Sequence, residues 1–278
     1  MDDYQIEHLS YSQYSSYTKC PRQWYLSKVR KAEEKQTWYL PIGTTVHSMI
    51  EDYLKVEDPD DPHSALRPVE DYFYPLIEKQ MKIEPATSKW LAGGPEDSPI
   101  VEEKALQRAS ECFERALEFL EDIDVWEVEY DASGTLPGLP VPIKAYVDII
   151  GEHKKKGPVI LDWKTGSTKP DNFQLETYAA LLSHPGKLYG DVKGRYAMLS
   201  PAYGSQTRYV DLSGVKPEEV GAKYLKVYEG MKAKLYRSNA GFDCNYCYHQ
   251  ENCRTKAGPT ERAKYYDRSY EDGYPFSA

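Results

Sequence analysis

Nothing in this chain reads as a membrane anchor, because no run approaches the roughly 20 consecutive apolar residues that a bilayer core requires. The opening residues, MDDYQIEHLS, are acidic and lack the pattern of a secretory leader, so a cytoplasmic protein with no membrane partner is expected. Positive charge is missing overall. At a net charge of −9 the chain does not coat nucleic acid through bulk electrostatics, which leaves room only for a local basic strip. Five cysteines in 278 residues of cytosolic character are too few for a disulfide scaffold and invite a different explanation. Phenylalanine is scarce at 6 while tyrosine reaches 25. Tyrosine suits half-buried packing and also stacking under unpaired bases, and composition does not divide the two.

What is present supports a folded α/β protein: 40% hydrophobic and 28% charged residues, with length enough to bury a sizeable core. The basic residues are concentrated. Lys19, Arg22, Lys28, Arg30, Lys31 and Lys35 stand near the start, and Lys154, Lys155, Lys156, Lys164 and Lys169 near the middle. Acidic residues dominate 51–71 and 96–131, where solvated helix faces account for most of them.

Periodicity predicts an N-terminal helix from Ser10 towards Cys20-Pro21, where proline permits a break. A second helix over 42–55 is predicted with a cap at Thr44 or Thr45, and His47 and Glu51 on one face. Further helices are expected over about 66–83, 100–120, 171–183 and 217–237. Strands are expected at VWEVEY (125–130), 143–150, 159–164, GRYAMLSP and TRYVDLS. On the helix DNFQLETYAALLS, Gln174 and Tyr178 fall one turn apart.

The stretch IKAYVDIIGEHKKKGPVILDWKTG carries charge inside two apolar runs. Alternation places Ile143, Ala145, Val147 and Ile149 on one face, with Asp148 and Ile150 on the other. In the second run Ile160, Asp162 and Lys164 share a face. A short Gly/Pro-flanked connection favours an antiparallel hairpin, and setting Ile150 opposite Ile160 brings Asp148 opposite Asp162. Two carboxylates about 5 Å apart repel, and a divalent cation such as Mg²⁺ or Mn²⁺ relieves them. A lysine two residues on is then placed to orient water and offset charge on phosphate. An isolated D-x-K is usually a surface ion pair; the matching Asp148 is what raises it above that.

The segment CNYCYHQENC sets Cys244, Cys247 and Cys253 at metal-ligand spacing, one thiol short of a tetrahedral set. Cys112 lies on the apolar side of ASECFERALEFL and reads as a core thiol, so Cys20, followed by Pro21, is the better fourth ligand. Four thiolates suit zinc or an iron–sulfur cluster, and spacing alone does not separate them.

In this order these segments resemble the PD-(D/E)XK nuclease superfamily, and within it the RecB-like exonucleases that carry an iron–sulfur cluster, as in CRISPR-associated adaptation exonucleases and related phage proteins. The motifs are LSYSQYSSYTKCPRQWYL, GTTVHSMIE, AYVDII, ILDWKTG, QLETYAALL and CNYCYHQENC, and they span nearly the whole chain. The proline–aspartate of the superfamily's name is absent before Asp148, as is usual for this branch. The resemblance implies a restriction-endonuclease-like core, a mixed central sheet flanked by helices, with a cluster subdomain joining the two termini. That subdomain would comprise 9–35 and 240–256, the nuclease core about 40–238, and the single domain 1–260, followed by a polar, tyrosine-rich tail at 261–278. It further implies a metal-dependent DNA exonuclease. His47, Asp148, Asp162 and the Trp163 main-chain carbonyl would be metal ligands, Lys164 the catalytic lysine, and Gln174 and Tyr178 the family's helix pair. Glu129 is a candidate extra ligand, with Glu127 at the same strand parity. Cys20, Cys244, Cys247 and Cys253 would hold a [4Fe-4S] cluster, zinc being the alternative. The implied partners are single-stranded DNA or DNA ends, and proteins of recombination or CRISPR adaptation. A stand-alone module in a bacterial cytoplasm, encoded by a phage or linked to CRISPR, is the expectation. A silent DNA-binding module of the same fold, or a zinc-knotted ribonuclease, are the competing readings.

Overall fold

The two apolar runs around residue 150 form the centre of the molecule. Strands β2 (Tyr146–His153) and β3 (Gly157–Lys164) pair antiparallel with Ile150 opposite Ile160, the expected register. Their turn closes at Gly157, whose φ of 74° is a left-handed conformation that glycine adopts without a Cβ penalty. β1 (Ile123–Asp131) adds antiparallel to β2, with a register shift between Val125 and Glu127. On the other side β4 (Lys193–Met198) runs parallel to β3, and the short β5 (Val210–Asp211) pairs antiparallel with β4. A parallel step needs a crossover, and helix α6 (Phe173–Leu182) supplies it. The result is a five-stranded mixed sheet in the order β1-β2-β3-β4-β5.

This computed structural model describes residues 4–56, 60–91, 99–166, 170–183, 192–200, 208–241, 244, 247–250, 252 and 253; Lys169 and the tail at 261–278 lie outside them. Helices α1 (Tyr11–Lys19) and α2 (Pro21–Trp24) precede α3 (Tyr39–Leu54), α4 (Val69–Met81) and α5 (Pro99–Leu120), and α7 (Pro217–Lys232) follows the sheet. Helices cover both faces of the sheet. One core joins Tyr17, Trp24, Phe173, Leu175 and Tyr224 to Ile150 and Ile160. The other joins Val46, Phe73, Ala109 and Cys112 to Ile149, Leu161 and Trp163. Cys112 is fully buried there, as a core thiol should be. This α/β/α layering agrees with a restriction-endonuclease-like core.

Three local expectations need correction. Helix α3 begins at Tyr39, ahead of the expected caps. Thr37 Oγ1 accepts from the Tyr39 N–H at 3.2 Å, while Thr44 Oγ1 donates back to the Leu40 carbonyl and Thr45 is buried. Pro41 is tolerated because an N–H in the first turn has no intrahelical partner. Helix α7 stops at Lys232, short of 237. The alternation over 143–150 also breaks: Ile143, Ala145 and Val147 join one core and Ile149 the other.

The two ends of the described chain touch. The Arg22 N–H donates to the Arg237 carbonyl, the Lys35 N–H to that of Tyr248 at 2.8 Å, and Tyr17 Oη to that of Leu235 at 2.8 Å.

Candidate active site

The hairpin ladder ends at the pair Ile149–Leu161. Beyond it the Asp148 side chain intervenes, and its Oδ2 accepts the Trp163 N–H at 2.6 Å. The carboxylate thus takes an N–H that a longer ladder would have given to a main-chain carbonyl. Asp148 is held on a rigid strand end, between the two helical layers.

Its other oxygen faces α3. Asp148 Oδ1 lies 3.6 Å from His47 Nδ1, and Glu129 Oε1 lies 3.7 Å from the same nitrogen. Ligand atoms of His47, Glu129 and Asp148 all fall within 4.8 Å of one another. Glu129 reaches this position from β1 with φ 51°, unusual for a non-glycine residue and of the kind that concentrates at functional sites. Glu127, at the same parity, is exposed on the strand. The choice between the two glutamates was not legible from parity; backbone conformation makes it.

Asp162, on β3, is fully buried, and its charge acts on both Asp148 and His47. Its Oδ1 accepts from Tyr178 Oη at 3.1 Å, and Tyr178 Oη in turn accepts from Gln174 Nε2 at 2.7 Å. Its Oδ2 pairs with Lys164 Nζ. Lys164 sits 5.5 Å from the ring centre of Tyr196, the β4 residue paired with Asp162 across the parallel step. Tyr196 anchors itself by donating to the Asp171 carbonyl at 2.6 Å, and Tyr11 donates to the Asp171 carboxylate at 3.3 Å. Sequence reasoning missed Tyr196, Tyr11 and Asp171. It also missed Arg108, which spans from α5 to the Thr165 carbonyl at 2.9 Å and Ser200 Oγ at 2.8 Å and so fixes the turn after Lys164.

The electrostatics are those of a crowded anionic site. Burial, then the charge of Asp162, pushes the Asp148 carboxyl up to about 7. For His47, burial favours the neutral ring, but the Glu129 hydrogen bond and the charges of Asp148 and Asp162 outweigh it and raise the imidazole. Tyr178 and Tyr196 are both raised by burial and by Asp162, so both phenols stay protonated as donors. An imidazole and two carboxylates converging with their charges unrelieved form a donor set that fits a divalent cation.

The cysteines form a second group. Burial raises the Cys20 thiol, opposed by N–H groups of Asn239, Gln23 and Arg22, and the charge of Cys253 adds to the rise. Cys247 is raised by burial and by the charges of Cys20, Cys253 and Cys244. Asn239 N–H reaches Cys20 Sγ at 3.4 Å and Gly241 N–H reaches Cys244 Sγ at 3.5 Å, so main-chain donors already point at sulfur. Cys20, Cys244, Cys247 and Cys253, drawn from both ends of the chain, are a donor set of the kind that holds zinc or an iron–sulfur cluster.

Comparison with known proteins bears on this geometry. The chain is 23% identical over 282 residues to the Gene 69 protein of Mycobacterium phage D29, covering 88% of this chain and 95% of that protein. The crystal structure of SSO0001 aligns over 92% of this chain and 90% of its own, at 14% identity and a TM-score of 0.39. The model of the PD-(D/E)XK nuclease superfamily matches residues 8–254, from the helix before Cys20 to the last of the clustered cysteines, and the chain belongs to that superfamily.

Proposed function

We propose that this protein is a divalent-metal-dependent DNA exonuclease, acting on single strands or DNA ends in a phage setting. The observation that carries the reading is the convergence of His47, Glu129 and Asp148 beside the Asp162–Lys164 pair. His47, Asp148, Asp162, the Trp163 carbonyl and Glu129 would hold the cation. When bound, it would polarise a phosphate oxygen and lower the pKa of water. Lys164, steadied by Asp162 and by the Tyr196 ring, offers its ammonium to charge developing on phosphate. Tyr178 and Gln174 hold Asp162 in one rotamer from α6. An intact lysine and ligand set is the reason to prefer an enzyme over a silent DNA-binding module. Similarity to a phage protein supports the phage setting over a CRISPR one.

Cys20, Cys244, Cys247 and Cys253 would ligate a [4Fe-4S] cluster of structural purpose. Zinc at the same four thiols is the alternative occupant.

End-labelled single- and double-stranded DNA and RNA, digested with Mn²⁺, Mg²⁺ or excess EDTA, test the reading. Mn²⁺ should equal or exceed Mg²⁺, since an imidazole among the ligands favours it. Products should shorten progressively from a DNA end. Activity that survives EDTA, or digestion confined to RNA, rejects the proposal.

A further inference from the structure

Beside the cysteine group, where the chain leaves Cys20-Pro21, lies a hollow of about 490 Å³ lined by Arg22, Tyr25, Leu26, Arg30, Ala32 and Asn252. None of these residues belongs to the acidic site. The chain as a whole is at −9, yet two guanidiniums line this one hollow, and among the described residues neither is ion-paired with a carboxylate. Two guanidiniums lining one hollow favour an anion there, and a guanidinium is matched to phosphate by its planar fork.

The wall is built to hold that arrangement. Arg22 lies 5.0 Å from the ring centre of Tyr25, and Tyr25 stacks on Tyr236 at 4.5 Å with 24° between planes. A contact with a ring face orients the guanidinium without occupying its N–H groups. Tyr25–Val29 is a π-helical turn, a rare conformation that recurs frequently at functional sites. From the opposite end of the chain, Asn252 is fixed by donating to the Glu33 carbonyl at 2.9 Å. Because Arg22 follows Cys20 closely and Asn252 adjoins Cys253, whatever joins those thiols also sets the shape of the hollow.

We propose that the hollow is a second nucleic-acid contact, seating a backbone phosphate of the substrate strand between Arg22 and Arg30, with the sugar or base against Leu26 and Tyr25. This rests on the reading of the protein as a DNA nuclease. It assigns the cysteine-tied end a task of its own: gripping the strand away from the cutting residues. A strand held at two places is digested processively, and a strand held at one is released after each cut.

The test uses the full chain in excess EDTA, so that nothing is cleaved, and a fluorescein-labelled 20-mer of oligothymidylate read by anisotropy across a salt series. Arg22→Ala/Arg30→Ala should weaken binding on the order of tenfold near 0.1 M salt. It should also flatten the slope of log K against log salt by about 0.7, the value for one neutralised phosphate on a single strand. Arg22→Lys/Arg30→Lys, which keeps the charge, should restore most of the slope, and a Lys55→Ala/Lys216→Ala control should change neither. Wild-type binding matched by the double alanine variant overturns this inference alone. A wild-type protein that binds no DNA overturns the nuclease reading with it. Displacement of the 20-mer by micromolar thymidine monophosphate would assign the hollow to a free nucleotide, and the strand proposal would fall.

Discussion

Asp148 carries a conflict that either a proton or a divalent cation relieves. Burial and the Asp162 charge hold its proton up to about pH 7, against 3.8 for an ordinary carboxyl. Between those values the folded protein keeps a proton that the unfolded chain has released, so its contribution to stability falls as pH rises through that window. His47, also raised, acts in the same direction: its contribution is present in acid and is lost as pH climbs through its folded value. A divalent ion must displace both protons to bind, so its affinity should increase with pH. We therefore expect the rise in melting temperature on adding millimolar Mn²⁺ to be larger at pH 8 than at pH 5.5. Thermal unfolding with and without Mn²⁺ at the two values decides it, and a larger rise in acid would contradict the site. Lys164 and Tyr178 separate chemistry from support. Lys164→Ala should lose about 10²–10³ in cleavage rate while the Mn²⁺-induced stabilisation persists, because an ammonium aimed at phosphate is removed and no ligand is. Tyr178→Phe deletes the 3.1 Å bond to Asp162 and should weaken Mn²⁺ binding about 10–100-fold. Single-turnover digestion and Mn²⁺ titration read the two effects apart, and near-normal turnover in Lys164→Ala would remove the lysine from the mechanism.

The strand hairpin is the element on which the site hangs, and Gly151 is where it tolerates least change. A Cβ there would lie 2.4 Å from the Asp124 carbonyl oxygen and 3.0 Å from Ile123 Cγ2. Backbone cannot yield as a flexible side chain can, so Gly151→Ala should force β1 away from β2 and cost about 1–3 kcal/mol. Chemical denaturation measures this directly, and a wild-type midpoint with unchanged slope would show that the strands part freely. Because β1 also delivers Glu129 to His47, the same variant should weaken the response to Mn²⁺. The hairpin was legible in the sequence for a simple reason. A short turn couples its strands locally, and parity then fixes which residues face each other, which is why the pairing of Ile150 with Ile160 follows from the sequence. Tyr196 could not be placed in this way. Its pairing with Asp162 is parallel, made across a long crossover, and nothing local encodes that register. The start of helix α3 is hard to read from the sequence, since Pro41 and Gly43 resemble the residues of a loop. Proline is harmless in a first turn, and Gly43 is close to Thr165, whose Oγ1 would lie 3.3 Å from a Cβ. Glu129 and Glu127 share a parity, and a positive φ, invisible to pattern, separates them.

At the scale of the whole molecule, the question is what keeps the first helices against the last described residues. Asn239 reaches Cys20 across 219 positions of chain, and Tyr17, Arg22, Lys35 and Asn252 add hydrogen bonds between the same segments. Loop-closure entropy over such a span opposes these contacts, and a bond between thiols of the two ends would reinforce them. The thiol group is placed to do this, and its proposed cluster would act as a covalent-strength tie. Cys20→Ser, Cys244→Ser, Cys247→Ser and Cys253→Ser should each bleach absorbance near 400 nm and lower the melting temperature by on the order of 10 °C, since a few kcal/mol moves a chain of this size by that much. Cys112→Ser should keep its colour, because that thiol is buried in the core between α3, α4 and α5, apart from the thiols that act on Cys20 and Cys247. Iron and sulfide content beside thermal unfolding of all five variants tests this. Zinc in place of iron in the intact protein would keep the tie and change its metal. Bleaching by Cys112→Ser with colour retained in Cys20→Ser would break the link between the two ends. Cleavage should also fall in the four ligand variants, and more on long substrates than on short ones. A strand a few nucleotides long needs only the acidic site, whereas a long one depends on the basic segment that the thiols hold in register with it.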